Sequence, residues 1–270
     1  MTLSQGEQQR IDKIWTKGQF LSVCEHLHNG NGEHAFIIGF REKSGIVKYQ
    51  RSKSKRVGVA ASWAWASLNE STKSQIAIGF YSQNRFQKSR WGAIDFDSHD
   101  GDTDRARNYA EAAFHLLLQI PDIYIILETT GSSQGWHIFV IRKDFWPCDE
   151  WIKLLKVIVE KIGAKIEPGI CEIFPPDSCR GTYGKPLRAP GTFNPKGGFS
   201  EIVFQNIDPI FSLYHATPLS CNQQSDAFLQ LHDIKEQVCS LSTPPALSEG
   251  LKGMIDSLSS ESRIVRVGSR

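Results

Sequence analysis

The sequence has no apolar run long enough to span a bilayer. Its polar opening, MTLSQGEQQRIDKIW, lacks the apolar core that a signal peptide needs. Its six cysteines lie far apart with no C-x-x-C pair, so no disulfide framework is expected. These absences point to a cytoplasmic protein with no membrane partner. Charge of one sign is missing too: the formal net charge is only +2. Any nucleic-acid surface must then be a local patch, not a property of the whole molecule. No internal repeat is visible, which argues against a solenoid or propeller. What is present is ordinary for a soluble globular chain: 270 residues, 40% hydrophobic and 22% charged. That length holds one large α/β domain or two smaller ones.

Hydrophobic periodicity orders the chain. The first ~20 residues read as a short polar helix. HAFIIGF (34–40) and GIVKYQ (45–50) read as strands joined by a turn, and SQIAIGFYSQN (74–84) and RWGAIDFD (90–97) as two more. DTDRARNYAEAAFHLLLQI predicts a helix capped by Asp102, stopped by Pro121, with Ala112, Leu116 and Leu117 on its apolar face. IYIILET (123–129) and GWHIFVIR (135–142) follow as a hairpin across TGSSQ. DEWIKLLKVIVEKIG (149–163) predicts a second amphipathic helix, ended by Gly163. GICEIF (169–174) and SEIVFQN (200–206) are the last strands, with a Gly-, Pro- and basic-rich loop between them at 175–198. Beyond 207 the pattern weakens to short helices near 225–240 and 247–258. The fold class is therefore α+β. Its order from 90 to 206 is that of a βαββαβ unit, with two helices on one face of a mainly antiparallel sheet and the other face free.

Chemistry collects on that sheet. Strand residues i and i+2 point the same way, roughly 6.5–7 Å apart. Asp95 and Asp97 thus share a face opposite Ile94 and Phe96. Alone, such a pair reads as a strand end with solvated acids. Glu172, a single acid inside the apolar strand ICEIFP, and His137, at the start of a strand expected beside the first, change that reading. Three carboxylates and an imidazole on one sheet face suit two Mg²⁺ or Mn²⁺ ions, because the donors are hard oxygens with no thiolate pair. Arg180, Lys185 and Arg188 in CRGTYGKPLRAP could grip a polyphosphate, with Gly181 and Gly184 allowing close backbone approach; a solvated loop is the alternative. The run KYQRSKSKR offers Lys48, Arg51, Lys53, Lys55 and Arg56 as a groove for a template strand, or else as a solvated turn. Trp63 and Trp65 are read on one strand face, serving the core or stacking on bases.

The ordered set AIDFD, GSSQGWHIF, CEIFP and GKPLRAPGTFNPKGG resembles the motifs of the archaeo-eukaryotic primase superfamily, most closely its plasmid-replication and conflict-system primase-polymerases, over about residues 75 to 206. Ala189 stands where Leu is usual in the last motif, and Glu172 where many relatives have Asp. The resemblance implies a primase-polymerase core, with an N-terminal α/β module at 1–89, an RRM-like catalytic unit at 90–206 and a helical tail or linker at 207–270. It implies DNA-directed addition of nucleotides to a 3′-hydroxyl on single-stranded DNA. Asp95, Asp97 and Glu172 would be catalytic and metal-holding. Ser133, Gln134, His137, Lys185 and Arg188 would bind the nucleotide, and Arg51, Lys53, Lys55 and Arg56 the DNA. Partners would be the template, NTP or dNTP substrates, and a helicase or other replication or defence protein.

Some relatives carry zinc, but the spacings of Cys24, His26, His28, Cys171 and Cys179 do not fit the usual pairs, so none is expected here. His99 and Asp100 are read as outer or surface residues. Two rival readings stay open: a metal-dependent nuclease, and an inactive single-stranded nucleic-acid-binding module. The basic loop and the lack of a Lys beside the acid pair argue against the first. The three intact acids argue against the second.

Overall fold

A computed structural model describes residues 16–31, 35–41, 47–51, 56–69, 76–131, 135–177, 183–194 and 198–207. All of them lie in one compact unit that ends at Ile207. The expectations for Lys53, Lys55, Ser133, Gln134, Cys179, Arg180, Gly181 and the whole tail fall outside the described residues. Two antiparallel sheets and, among the described residues, four helices make the fold mixed α+β. No described helix is long and apolar enough to cross a membrane.

The first sheet has the order β2-β1-β3-β8: β1 is Phe36–Arg41, β2 Val47–Arg51, β3 Ile76–Tyr81 and β8 Pro186–Arg188. Alternation puts Phe36, Ile38, Ile78, Phe80 and Leu187 on one face, all buried and paired across strands. Helix α1 (Lys17–Leu27) packs against α2 (Val57–Asn69), which in turn lies on β3. A reciprocal box starts α1: Thr16 Oγ1 accepts from Gln19 N, and Gln19 Oε1 accepts from Thr16 N. Just past α1, Asn29 at φ 59° is fully buried and ties three segments. Its amide donates to Tyr81 O and Ser89 Oγ, while its Oδ1 accepts from Arg90 N.

Trp63 and Trp65 do not share a strand face, because 57–69 is helical. Residues two apart on a helix diverge by about 200°. Trp63 is exposed, and Trp65 packs 5.5 Å from Phe20. Nor is 175–198 all loop: its three-residue strand β8 crosses back onto β3 of the first sheet.

The second sheet has the order β7-β4-β6-β5-β9, with β4 Lys88–Phe96, β5 Tyr124–Thr129, β6 Trp136–Pro147, β7 Cys171–Phe174 and β9 Glu201–Gln205. β4 and β6 are therefore central, as the strand–helix order leads one to expect. Helices α3 (Thr103–Leu117) and α4 (Cys148–Lys161) pack together and cover one face. Asp102 caps α3, accepting from Arg105 N. The helix ends at Leu117, before Pro121 is reached. Ala106, Ala110, Ala113 and Leu117 form its buried stripe, whereas Ala112 is exposed and not part of it. Gly92 lets α4 approach: a Cβ there would lie 2.9 Å from the Trp151 ring and 3.0 Å from Leu155.

The opposite face is only partly free. Trp91, Ala93 and Phe139, which share a side with Asp95, are buried. The Trp91 indole donates to Leu27 O at the end of α1, so the N-terminal helix covers the lower part of this face. Only its upper end remains for chemistry.

Candidate active site

Antiparallel pairing places directly opposed residues on the same face of a sheet. Asp95 of β4 pairs with Glu172 of β7 on one side and with His137 of β6 on the other. His137 in turn pairs with Glu128 of β5. Four ionisable side chains, Glu172, Asp95, His137 and Glu128, thus form one lateral row across four neighbouring strands. The residues beside them in sequence, Ile94, Ile138, Ile173 and Leu127, face the helices and are buried.

His137 sits between two acids. Its Nδ1 donates to Glu128 Oε1 at 2.7 Å, and its Nε2 lies 3.3 Å from Asp95 Oδ1. This second contact is longer and less well aligned than the first, and the His137 ion pair is all that Asp95 Oδ1 meets. Burial lowers the imidazole's proton affinity, but the Asp95 and Glu128 carboxylates outweigh it and raise the pKa to about 9. Asp95 is also pulled towards its uncharged form by burial, yet the His137 cation, with Arg188 and Lys185 beyond it, holds it below the usual range.

Raising a histidine pKa stabilises the fold where the folded state holds a proton that the unfolded chain has lost. That stabilisation is full below about pH 6.5 and is lost as pH rises through about 9. Denaturant melts between pH 6 and 10 should show this decline, on the order of 3 kcal/mol. His137→Gln should flatten it; an unchanged slope in that variant would refute the pairing.

Asp97 lies just past the end of β4, its N–H donating to Ile170 O. Burial, then the neighbouring Asp95 charge, and with them that of Glu172, raise its pKa. His99 Nε2 is 3.8 Å away, so His99 partners Asp97 at the rim, whereas Asp100 turns to Arg105. Among the described residues, no three His, Cys, Asp or Glu side chains converge closely enough to hold a metal ion. The donor chemistry nevertheless fits Mg²⁺ or Mn²⁺: the buried Asp95 Oδ1 is met only by the long His137 ion pair, and Asp97 carries repulsion that a cation would relieve. Glu172 is engaged otherwise, contacting Lys185 Nζ.

The basic residues arrive from the other sheet's last strand. Lys185 extends over the Phe174 ring to reach Glu172. Arg188 Nη1 donates to Thr192 O and Ser200 Oγ, and its charge reaches Asp95. A Cβ on Gly184 would meet Ser82 Oγ at 2.6 Å, so its bareness also accommodates the chain just past β3. Arg51, at the end of β2, stacks over Tyr183, two residues before Lys185, while Arg56 lies at the start of α2. The residues weighed for zinc at α1 and just past it have other surroundings. Cys24 is buried, His26 contacts Arg142 O, and His28 packs edge-on against Phe36 and Phe80.

Sequence reasoning missed Glu128. It is fully buried, binding His137 with one oxygen and the Gly191 amide with the other. Its signal, a lone acid inside the apolar stretch IYIILET, was the same one that marks Glu172. Two glycines also approach one another closely. A Cβ on Gly198 would fall 1.8 Å from Gly131 O, and both glycines have positive φ. Gly198→Ala should cost at least about 2 kcal/mol in a denaturant melt; a wild-type midpoint would refute the close approach.

A comparison with protein-family models finds no match to this chain, and one with curated proteins finds none either.

Proposed function

We propose that the protein is a DNA-directed primase-polymerase of the archaeo-eukaryotic primase type, adding nucleotides to a 3′-hydroxyl on a single-stranded DNA template. In this reading residues 90–206 are an RRM-like catalytic unit and 1–89 its N-terminal α/β module. The observation that carries the proposal is the lateral row Glu172–Asp95–His137–Glu128, with Lys185 and Arg188 brought over it from the other sheet.

Asp95 and Asp97, with Glu172, would hold Mg²⁺ or Mn²⁺. When bound, such ions lower the pKa of an attacking hydroxyl and offset charge on a leaving pyrophosphate. The chain's own residues then bind and orient the nucleotide. The His137 imidazolium, whose Nε2 faces Asp95 at 3.3 Å, meets a phosphate oxygen. Arg188 and Lys185 add positive charge, Arg188 from a guanidinium already fixed by Thr192 and Ser200. Arg51 and Arg56 lie on the template side.

The test is primer synthesis on single-stranded circular DNA with labelled nucleotides and Mg²⁺ or Mn²⁺, with and without an annealed primer. Product from the bare circle means a primase, and product only from the annealed primer means an extending polymerase. One observation favours a second reading: Lys185 on Glu172 and the imidazolium between Asp95 and Glu128 offset two of the row's three negative charges without any metal ion. DNA binding with no product in any mixture would establish that alternative, a nucleic-acid-binding module.

A further inference from the structure

Glu128 belongs to no motif singled out above, yet it joins two parts of the site. Its carboxylate is fully buried. Oε1 accepts from His137 Nδ1 at 2.7 Å and Oε2 from Gly191 N at 2.6 Å. The two partners lie in different parts of the fold. His137 is on β6 of the second sheet, and Gly191 is in the turn that follows β8 of the first.

That turn is held at several points. Ala189 N donates to Ile78 O of β3, and Thr192 Oγ1 donates to Ala189 O. Arg188 Nη1 donates to Thr192 O, so the guanidinium is braced by the same turn that Glu128 grips through Gly191. Gly191 has φ 69°, a conformation that favours glycine. One carboxylate thus connects the imidazole to the turn that aims Arg188.

We propose that Glu128 is a positioning residue that sets His137 and Arg188 as a fixed pair facing the phosphates of the incoming nucleotide. The purpose assigned to the pair rests on the polymerase reading above; the two-armed grip itself does not. The chemistry requires a carboxylate, because both partners are N–H donors and only an ionised acid offers an acceptor at each oxygen. Glutamine has the same shape but presents one oxygen and one NH₂, so it can satisfy only one of the two donors. Either the Gly191 arm opens, or the imidazole gives up its Nδ1 proton and accepts from the new NH₂ instead.

The first measurement reads the grip in the nucleotide-free full chain by NMR. In wild type the Gly191 amide should be protected from hydrogen exchange, and His137 should show a protonated Nδ1. Glu128→Gln should lose one of these signals, with Gly191 exchange rising about tenfold or more if that arm opens. Protection at Ile138 and Val140 in the core of β6 should be unchanged. Both signals at wild-type values in Glu128→Gln, or both absent in wild type, would overturn the proposal whatever the activity. If the variant does not fold, the wild-type signals alone decide it.

The second measurement reads the consequence as Mn²⁺-dependent dNTP binding. Glu128→Gln should weaken it by about 10- to 100-fold, the range for losing a partner that orients a ligand. In primer extension KM should rise more than kcat falls. The effect should shrink in a His137→Ala background, because part of it runs through the imidazole. Full additivity, or wild-type affinity in Glu128→Gln, would overturn the role for the pair. Absence of nucleotide binding in wild type would instead sink the polymerase reading, leaving the grip to be judged by the NMR signals.

Discussion

Changing Asp95 and Asp97 together to asparagine is expected to abolish nucleotide addition, by about a thousandfold or more, while leaving the fold intact. The two halves of that expectation have separate physical grounds. Asparagine keeps the shape of each side chain but removes the negative charge that would hold a divalent cation. The fold should lose some stability but persist: the His137 cation holds Asp95 ionised below the usual carboxylate range, so that charge stabilises, whereas burial and the neighbouring acids oppose the charge on Asp97. His137 keeps its shorter contact, to Glu128, at 2.7 Å. Primer extension and a thermal melt on the same preparation give the answer. Activity within tenfold of wild type would remove the acid pair from the mechanism; loss of activity with loss of fold would make the acids structural.

The largest stability effect is expected at Trp91. Its side chain is fully buried, its ring lies 5.8 Å from Phe139, and its indole donates to Leu27 O at 2.8 Å. Trp91→Ala empties a large volume between α1 and the second sheet and leaves the Leu27 carbonyl without that donor. Such truncations cost about 3–5 kcal/mol, against a total stability of about 5–15 kcal/mol for a typical domain. Trp91→Phe keeps most of the volume and loses the hydrogen bond, for about 1–2 kcal/mol. Urea melts of the two variants should separate packing from hydrogen bonding. Equal losses would mean that the indole N–H, not the ring volume, holds α1 in place.

Much of the second sheet was legible from residue order alone, because its strands are long, apolar and interrupted by amphipathic helices. Asp95, His137 and Glu172 stood out for the same reason: a charge inside an apolar strand must have a partner. Glu128 carried the same mark near the end of its strand, where an acid also reads as ordinary strand-end polarity. Its partners, His137 and Gly191, are set by pairing and by a turn 63 residues away, neither of which is written in local pattern. The segment ASWAWAS reads equally as alternation or as helix; its alanines favour the helix, and packing against α1 settles it. The strand at Pro186–Arg188 is too short to show any period. The Lys185–Glu172 contact depends on a loop path that composition does not encode.

Because the row draws one residue from each of four strands, its geometry depends on where each strand begins counting. Adding or deleting a single residue inside any one of them would turn an ionisable side chain towards α3 and α4 and bring a neighbouring residue up in its place. The same error would bury a charge and empty the site, so a lineage carrying it would lose stability and chemistry in one event. Length changes should therefore accumulate between these strands and be purged within them.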